Sequence, residues 1–164
     1  MQEIILVKYG EMALKGMNKK TFEDILVKNI KRRIKSLGKT EITRAQSTIY
    51  IAPLDEFFDA DEAIERLKKV FGIAALCRAA VCEKDFEDIK SKSIEYLDEV
   101  LSYAKTFKVT AKRADKSFPM KSPEICRELG GVLLEKFPHL TVNVNDPEIT
   151  VTIEIRDTKA YIHA

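Results

Sequence analysis

The sequence predicts an α+β protein of two small domains, and three observations predict it. Through the first half of the chain, apolar residues switch between helical spacing and strand-like runs in the order β-α-β-β-α-β. A second series of helix, strand, helix and two strands follows with apolar positions of its own, and 164 residues at 45% hydrophobic content can fill two separate cores. The basic residues gather in two stretches and the acidic ones elsewhere, so a polyanion-binding surface would be one-sided.

Ile4 to Tyr9 is an apolar run that reads as a buried strand. Asn18 can cap a helix whose apolar positions Phe22, Ile25, Leu26, Ile30, Ile34 and Leu37 recur at helical spacing, and Gly38 ends it. Ile42 to Ala45 and Thr48 to Ile51 are short strands joined at Gln46-Ser47. After Pro53 an acidic stretch leads into a helix through Ile64, Leu67 and Val70, closed by Gly72, and Ile73 to Val81 is the last strand. This is the ferredoxin-like arrangement, in a first domain spanning residues 1–82.

Residues 83–164 form the second domain. Asp85 caps a helix carrying Ile89, Leu97, Val100, Leu101 and Ala104, and the pattern then switches to strand alternation at Phe107, Val109 and Ala111. Ser122-Pro123-Glu124 reads as a helix start, with the serine as cap and proline at the first helical position, where its missing N–H does no harm. That helix runs to Lys136, before Pro138. Thr150 to Arg156 and Ala160 to His163 are strands flanking a turn at Asp157-Thr158.

Composition narrows the function classes. No apolar run approaches the roughly 18 residues of a membrane span, and the N-terminus lacks the basic-then-apolar pattern of a secretion signal, so a cytoplasmic protein with no membrane partner is expected. Cys77, Cys82 and Cys126 are odd in number and without Cys-x-x-Cys spacing, which predicts buried thiols rather than disulfides or a zinc site. There is no phosphate-binding Gly-x-x-x-x-Gly-Lys loop, no His-Glu-x-x-His helix and no Gly-x-Ser-x-Gly elbow. His139 and His163 read as ordinary surface residues, and Glu87-Asp88 and Asp98-Glu99 as solvated helix faces. No catalytic residue, metal site or cofactor of the chain's own is expected.

Net charge is only +2, so distribution matters more than the sum. Lys105, Lys108, Lys112, Arg113, Lys116 and Lys121 face a single acidic residue, Asp115, in their stretch. Lysine and arginine attract phosphates, and the helix beginning at Ser122 would add unpaired backbone N–H groups. An exposed Phe118 could stack on an unpaired base, a contact worth about 1–3 kcal/mol; in the other reading it packs in the core and the lysines are a solvated loop. Strand alternation puts Lys108, Thr110 and Lys112 on one face and Arg113 on the other, where it reaches a phosphate or pairs with an internal carboxylate. Gly130-Gly131 inside a helix costs about 1 kcal/mol per glycine, which close packing or backbone approach to RNA could justify. In the first domain, Lys28, Lys31, Arg32, Arg33 and Lys35 read either as an RNA-binding stripe or as a complement to the negative end of the helix dipole, and the second reading is preferred. Lys15, Lys19 and Lys20 oppose that dipole and call for a nearby anion.

Two blocks carry a resemblance to a known family. Lys8-Tyr9-Gly10-Glu11-Met12-Ala13-Leu14-Lys15-Gly16-Met17-Asn18-Lys19-Lys20-Thr21-Phe22-Glu23 resembles the opening signature of the ThiI-type tRNA 4-thiouridine synthetases. Phe107 to Pro119, followed by Leu129-Gly130-Gly131 and by Glu154-Ile155-Arg156 and Tyr161, resembles the THUMP domain that comes next in the same proteins. A basic residue often stands at the position of Met17, while Lys15 and Lys19 match on either side. The resemblance implies an α/β THUMP domain after the ferredoxin-like one, and a tRNA partner held by its 3′-terminal CCA. It does not extend to the ATP-binding PP-loop domain, which in the family adenylates uridine and takes sulfur from a persulfide carrier, in 4-thiouridine formation and in thiamine biosynthesis. The implied partners are therefore tRNA, a second copy in a homodimer, a separately supplied catalytic domain that would use ATP, and a cysteine desulfurase as sulfur donor. Two other readings stay open: a ferredoxin-like module that binds a small ligand or a protein, and the THUMP part of another RNA-modifying enzyme.

Overall fold

The computed structural model of the protein describes residues 1–10 and 18–164. It has two compact units, Glu3–Arg78 and Ala79–Ala164 with Met1–Gln2. No helix among the described residues is long and apolar enough to cross a membrane.

The first unit contains β1 (Glu3–Tyr9), α1 (Lys19–Ile34), β2 (Thr40–Ala45), β3 (Thr48–Pro53), α2 (Ala60–Leu67) and most of β4 (Ile73–Cys82). Its strand order, β2-β3-β1-β4, is the ferredoxin-like one expected from the pattern. β3 runs antiparallel to both neighbours, with Ile5 opposite Ile51 and Val7 opposite Ile49. Asn18 accepts the Thr21 N–H at 2.8 Å and so satisfies one of the four N–H groups that a helix start leaves unpaired. Phe22, Leu26, Ile30 and Ile34, four residues apart, are buried against Ile5, Val7, Ile49 and Ile51. Burial of each such side chain contributes about 1.5–3 kcal/mol, which holds α1 on the sheet. A 3-10 turn, Lys35–Leu37, follows, and Gly38 at φ +134° turns the chain away. Gln46 and Ser47 both have positive φ, 49° and 65°, which matches the right-handed twist of the β2–β3 hairpin.

The second unit contains α3 (Phe86–Tyr96), α4 (Asp98–Tyr103), β5 (Thr106–Arg113), α5 (Ser122–Lys136), β6 (Thr141–Val142), β7 (Ile149–Ile155) and β8 (Ala160–His163). β8, β7, β5 and β6 lie in that order. β5 is parallel to both neighbours, β7 and β8 form an antiparallel hairpin, and Ala80 to Cys82 pair antiparallel with β8. Phe107, Val151, Ile153 and Ile155 from the strands meet Ile89 from α3, Leu97 between α3 and α4, Leu101 from α4 and Ile125, Leu129 and Leu133 from α5 in one apolar core.

Three local expectations are corrected. The helix anticipated from Asp85 to Ala104 is two helices, because Leu97 leaves helical geometry at φ −96°, ψ 5°; its side chain stays buried, so the apolar spacing conceals the break. Ser122 is the first helical residue rather than the cap. Lys121 occupies the cap position with extended backbone and no side-chain cap bond. β6 was not anticipated, since two residues carry no readable period.

Candidate nucleic-acid interface

The second unit builds its candidate surface from the end of β5, the loop at residues 114–121 and the start of α5. Asp115 organises the loop. Its carboxylate accepts Ser117 N–H at 2.9 Å and Ser117 Oγ–H at 2.6 Å, and it is ion-paired with Lys84, whose Nζ also donates to the Asp157 carbonyl at 2.8 Å. Chiefly through Lys84, then through Ser117, these contacts hold the Asp115 carboxyl well below the usual carboxylate range. Arg113 Nη1 donates to the carbonyls of Lys116 at 3.2 Å and Phe118 at 3.0 Å. The guanidinium thus fastens the loop's own main chain, and neither alternative drawn from the sequence, a phosphate or an internal carboxylate, describes these bonds.

Phe118 is 5% exposed and belongs to the core cluster. Its ring cannot stack on a base without leaving that core, so the stacking role is corrected to that of an anchor. With the loop held by Phe118, Arg113 and Asp115, Lys112, Lys116 and Lys121 stand exposed on a fixed frame. Lys108 is half-buried, with Nζ 3.4 Å from the Val144 carbonyl, a long contact.

Beside α5 lies a groove of about 390 Å3, which sequence reasoning missed. α5 lines one side with Cys126, Arg127, Gly130, Gly131 and Leu134, and β5 and β6 with the segment after it line the other with Phe107, Lys108, Val109, Val142 and Val144. A Cβ added at Gly130 or Gly131 would meet no atom within 4 Å. Close packing therefore does not explain the glycine pair, and what the pair leaves is open space. Val142 and Val144, 47% and 64% exposed, give the rim an apolar edge, while Lys108 and Arg127 give it charge. Burial raises the Cys126 thiol pKa, which makes it a poor nucleophile. The only sequence signals for this groove were the paired glycines in an otherwise regular helix.

In the first unit, Lys15 lies outside the described residues, as do Glu11, Leu14, Gly16 and Met17 of the same block. Lys19 and Lys20 are exposed in the first turn of α1, which contains no acidic residue; Lys19 lies 4.0 Å from Glu23. Glu23 accepts the Tyr9 hydroxyl, and burial together with this carboxylate raises the Tyr9 pKa to about 12. Arg44 reaches across from β2 to Asp24 at 2.6 Å and to Glu23 at 3.7 Å. A second hollow, about 330 Å3 and lined by charged side chains, lies between Asp24, Val27, Lys28 and Lys31 of α1 and Arg44.

His163 departs from the surface role expected of it. Its Nε2 lies 2.7 Å from Glu154 Oε2, and Glu154, 1% exposed, also accepts from Arg156 Nη2 at 2.6 Å. Glu154 interrupts an apolar strand and faces Tyr161 across the β7–β8 hairpin, so a buried carboxylate is held by charged or polar partners. His139 remains exposed, with Nε2 2.9 Å from the Leu101 carbonyl. Of the three cysteines, Cys82 is buried, and Cys77 and Cys126 are partly so.

Comparison with known proteins follows the same two units. Residues 4–77 match the ThiI ferredoxin-like domain and residues 83–163 the THUMP domain. A probable tRNA sulfurtransferase of Acetivibrio thermocellus is 47% identical over 159 residues, covering 96% of this chain and 41% of the relative. One of Alkaliphilus metalliredigens is 43% identical, covering 96% and 40%. The chain thus spans about two fifths of the length of these relatives. Among solved structures, a 4-thiouridine synthetase in complex with RNA and with bound ATP is similar at a TM-score of 0.83 and 33% identity, over 99% of this chain and 41% of that one. A crystal structure from Pyrococcus horikoshii Ot3 gives 0.85 at 29% identity, over 98% of this chain and 53% of that one.

Proposed function

We propose that this chain, which belongs to the proteins that join a ThiI ferredoxin-like domain to a THUMP domain, is a tRNA-binding module, and that its second unit takes the unpaired 3′ CCA end. The observation that carries the reading is the pairing of a fixed basic loop with an apolar groove on the same β5–α5 segment. Lys112, Lys116 and Lys121 attract phosphates without reading sequence. The groove beside Gly130-Gly131 offers apolar walls to bases, with Lys108 and Arg127 at its rim for the phosphates that link them. A paired base has no face free to enter such a groove, whereas an unstacked end does, so the combination favours single-stranded termini over duplex. Support also comes from the RNA bound in the similar synthetase structure and from the tRNA named in the relatives. In this reading the chain supplies recognition, and sulfur transfer to uridine belongs to a catalytic domain such as those in the longer relatives, with ATP and a persulfide donor. One subunit of a dimer could hold the CCA end while another presents the uridine.

The test is binding of the purified chain to tRNA with and without its 3′ CCA across a salt series. The expected result is salt-sensitive affinity that drops on the order of tenfold or more when the CCA is removed, the scale of one or two lost base contacts. Equal affinity for both tRNAs at every salt concentration rejects CCA recognition.

A further inference from the structure

Three aromatic side chains among the described residues stand largely in solvent: Phe57, Phe71 and Tyr103, at 84%, 84% and 86% exposure. Their electrostatic settings differ. Phe57 lies on the loop before α2 between Asp55, Glu56 and Asp59, and Tyr103 has Glu99 one helical turn before it on α4, so carboxylates flank both rings. Phe71 lies in the turn between α2 and β4, in a stretch from Arg66 to Cys82 that contains Lys68, Lys69 and Arg78 and no acidic residue. Lys68 pairs with Glu65 at 2.7 Å and Arg78 with Glu3 and Asp61, whereas no ion pair is recorded for the exposed Lys69 among the described residues. The turn holds the Phe71 ring outward. Lys68, Lys69 and Val70 donate their N–H groups to the carbonyls of Ile64, Arg66 and Leu67 at 3.0, 3.2 and 3.0 Å, so the chain stays wound as far as Val70. Val70 is 7% exposed in the core of the first unit, and Ile73 packs against the same core. Gly72, at φ +98°, turns the chain between these two anchors. The backbone at Phe71 is therefore ordered before any ligand covers the ring. The residues beside it are small: Gly72, Ala74 and Ala75, with Gly10 facing Ala74.

We infer that Phe71 and Lys69 form a stacking platform for an unpaired base of the bound RNA, the ring covering the face of the base and the ammonium group meeting the adjoining phosphate. The inference rests on the reading that the chain binds RNA, and it gives the first unit a base contact of its own. An aromatic face accepts any unstacked base, because every base has a π-face, so the contact is tolerant of sequence and selective for single strands. Carboxylates beside Phe57 and Tyr103 would repel the phosphates that accompany a base, and this separates Phe71 from the two other exposed rings. The sequence pointed to Phe118 for stacking because lysines surround it; the same signal, a phenylalanine next to lysines, occurs at Phe71 with the ring outside the core.

The experiment measures binding of the whole chain to a short oligouridine, which has no CCA, and to an abasic strand of equal length, across a salt series. The wild type is compared with Phe71→Ala, Phe71→Tyr and Lys69→Ala, and with Phe57→Ala as an equally exposed control. Phe71→Ala should weaken oligouridine binding on the order of tenfold, change abasic-strand binding by less than about twofold, and keep the salt slope, because a neutral ring releases no counterions. Phe71→Tyr should restore the affinity, Lys69→Ala should lower the slope by about 0.7, and Phe57→Ala should change neither. An unchanged oligouridine affinity in Phe71→Ala overturns the inference, as does an equal fall with the abasic strand or with Phe57→Ala. A wild-type dimer in sedimentation that Phe71→Ala converts to monomer without loss of RNA affinity also overturns it and assigns the ring to a second copy of the chain. CCA-dependent tRNA binding with oligouridine affinity indifferent to Phe71→Ala sinks the platform alone; Phe71-dependent oligouridine binding without CCA dependence sinks the groove alone.

Discussion

α1 and α5 are of nearly equal length, 16 and 15 residues, and each borders a candidate RNA surface, yet they are built in opposite ways. α1 is capped by Asn18, has no interior glycine and carries its lysines on its own exposed face. α5 starts at Ser122 after a Lys121 that makes no side-chain cap bond, contains Gly130-Gly131, and borders an apolar hollow whose basic residues are Lys108 of β5 and its own Arg127, beside a basic loop. The first arrangement attracts phosphates wherever they are presented, while the second can discriminate, because a concave apolar surface admits some shapes and excludes others. In the proposed reading a protein that holds a folded RNA uses both, charge for encounter and position and the hollow for the unpaired end.

The largest expected effect tests whether the loop of the second unit is a frame or a contact. Phe118→Ala should destabilise the protein by about 3–5 kcal/mol, the usual result of emptying a buried aromatic site, measured as a lowered urea midpoint. Ile25→Ala in α1, at a side chain 46% exposed, should change stability by less than about 1 kcal/mol. If Phe118→Ala left the midpoint in place and weakened RNA binding instead, the ring would be a stacking platform after all, and the two helices would differ less than their burial says.

The charge of α1 was legible in the sequence, and so was its apolar stripe, because Phe22, Leu26, Ile30 and Ile34 repeat at a spacing that only a helix brings to one face. The β7–β8 hairpin was legible for the corresponding reason at period two. The groove of the second unit was not. It depends on β6, a parallel strand of two residues, and on Val142 and Val144 lying opposite two glycines; no local pattern encodes that meeting. Phe118 was ambiguous because an aromatic among lysines can point either way, and the Arg113 bonds that fasten its segment end on main-chain carbonyls, which any residue type supplies. The pairing of Glu154 with His163 was not legible either, since His163 comes from the next strand of the hairpin.

A smaller effect sharpens the contrast at the glycine pair. With no atom within 4 Å of an added Cβ, Gly131→Ala should raise stability by about 0.8–1 kcal/mol, the helix-propensity difference. Gly131→Leu should keep part of that gain while projecting into the groove, lowering affinity for CCA-ended RNA on the order of tenfold if it displaces one base. A thermal melt paired with a binding curve separates the two effects. If both variants were stabilised and bound CCA-ended RNA as well as the wild type, the hollow would have no role in recognition, and α5 would be no more selective than α1.

The smallest effect concerns the frame of the loop and is read by pH. Asp115 is held below the ordinary aspartate value first by Lys84 and then by Ser117, so near pH 3–4 the unfolded chain binds more protons at this residue than the folded one. A carboxylate with a depressed folded pKa contributes stability that is fully present above its unfolded value of about 3.9 and is lost as pH falls through the lower folded value. Asp115→Asn removes the ion pair with Lys84 but keeps an oxygen that can accept from Ser117. The wild type should therefore melt slightly above Asp115→Asn at pH 7, and the gap should narrow as the pH drops below about 4. The stripe on α1 supplies the contrast, since Lys28 and Lys31 have no recorded carboxylate partner among the described residues and Lys28→Ala/Lys31→Ala should show no such narrowing. A gap between wild type and Asp115→Asn that stays constant from pH 7 to pH 3 would mean that the loop is held by shape and neutral hydrogen bonds, with the Lys84 ion pair incidental to how Lys112, Lys116 and Lys121 are presented.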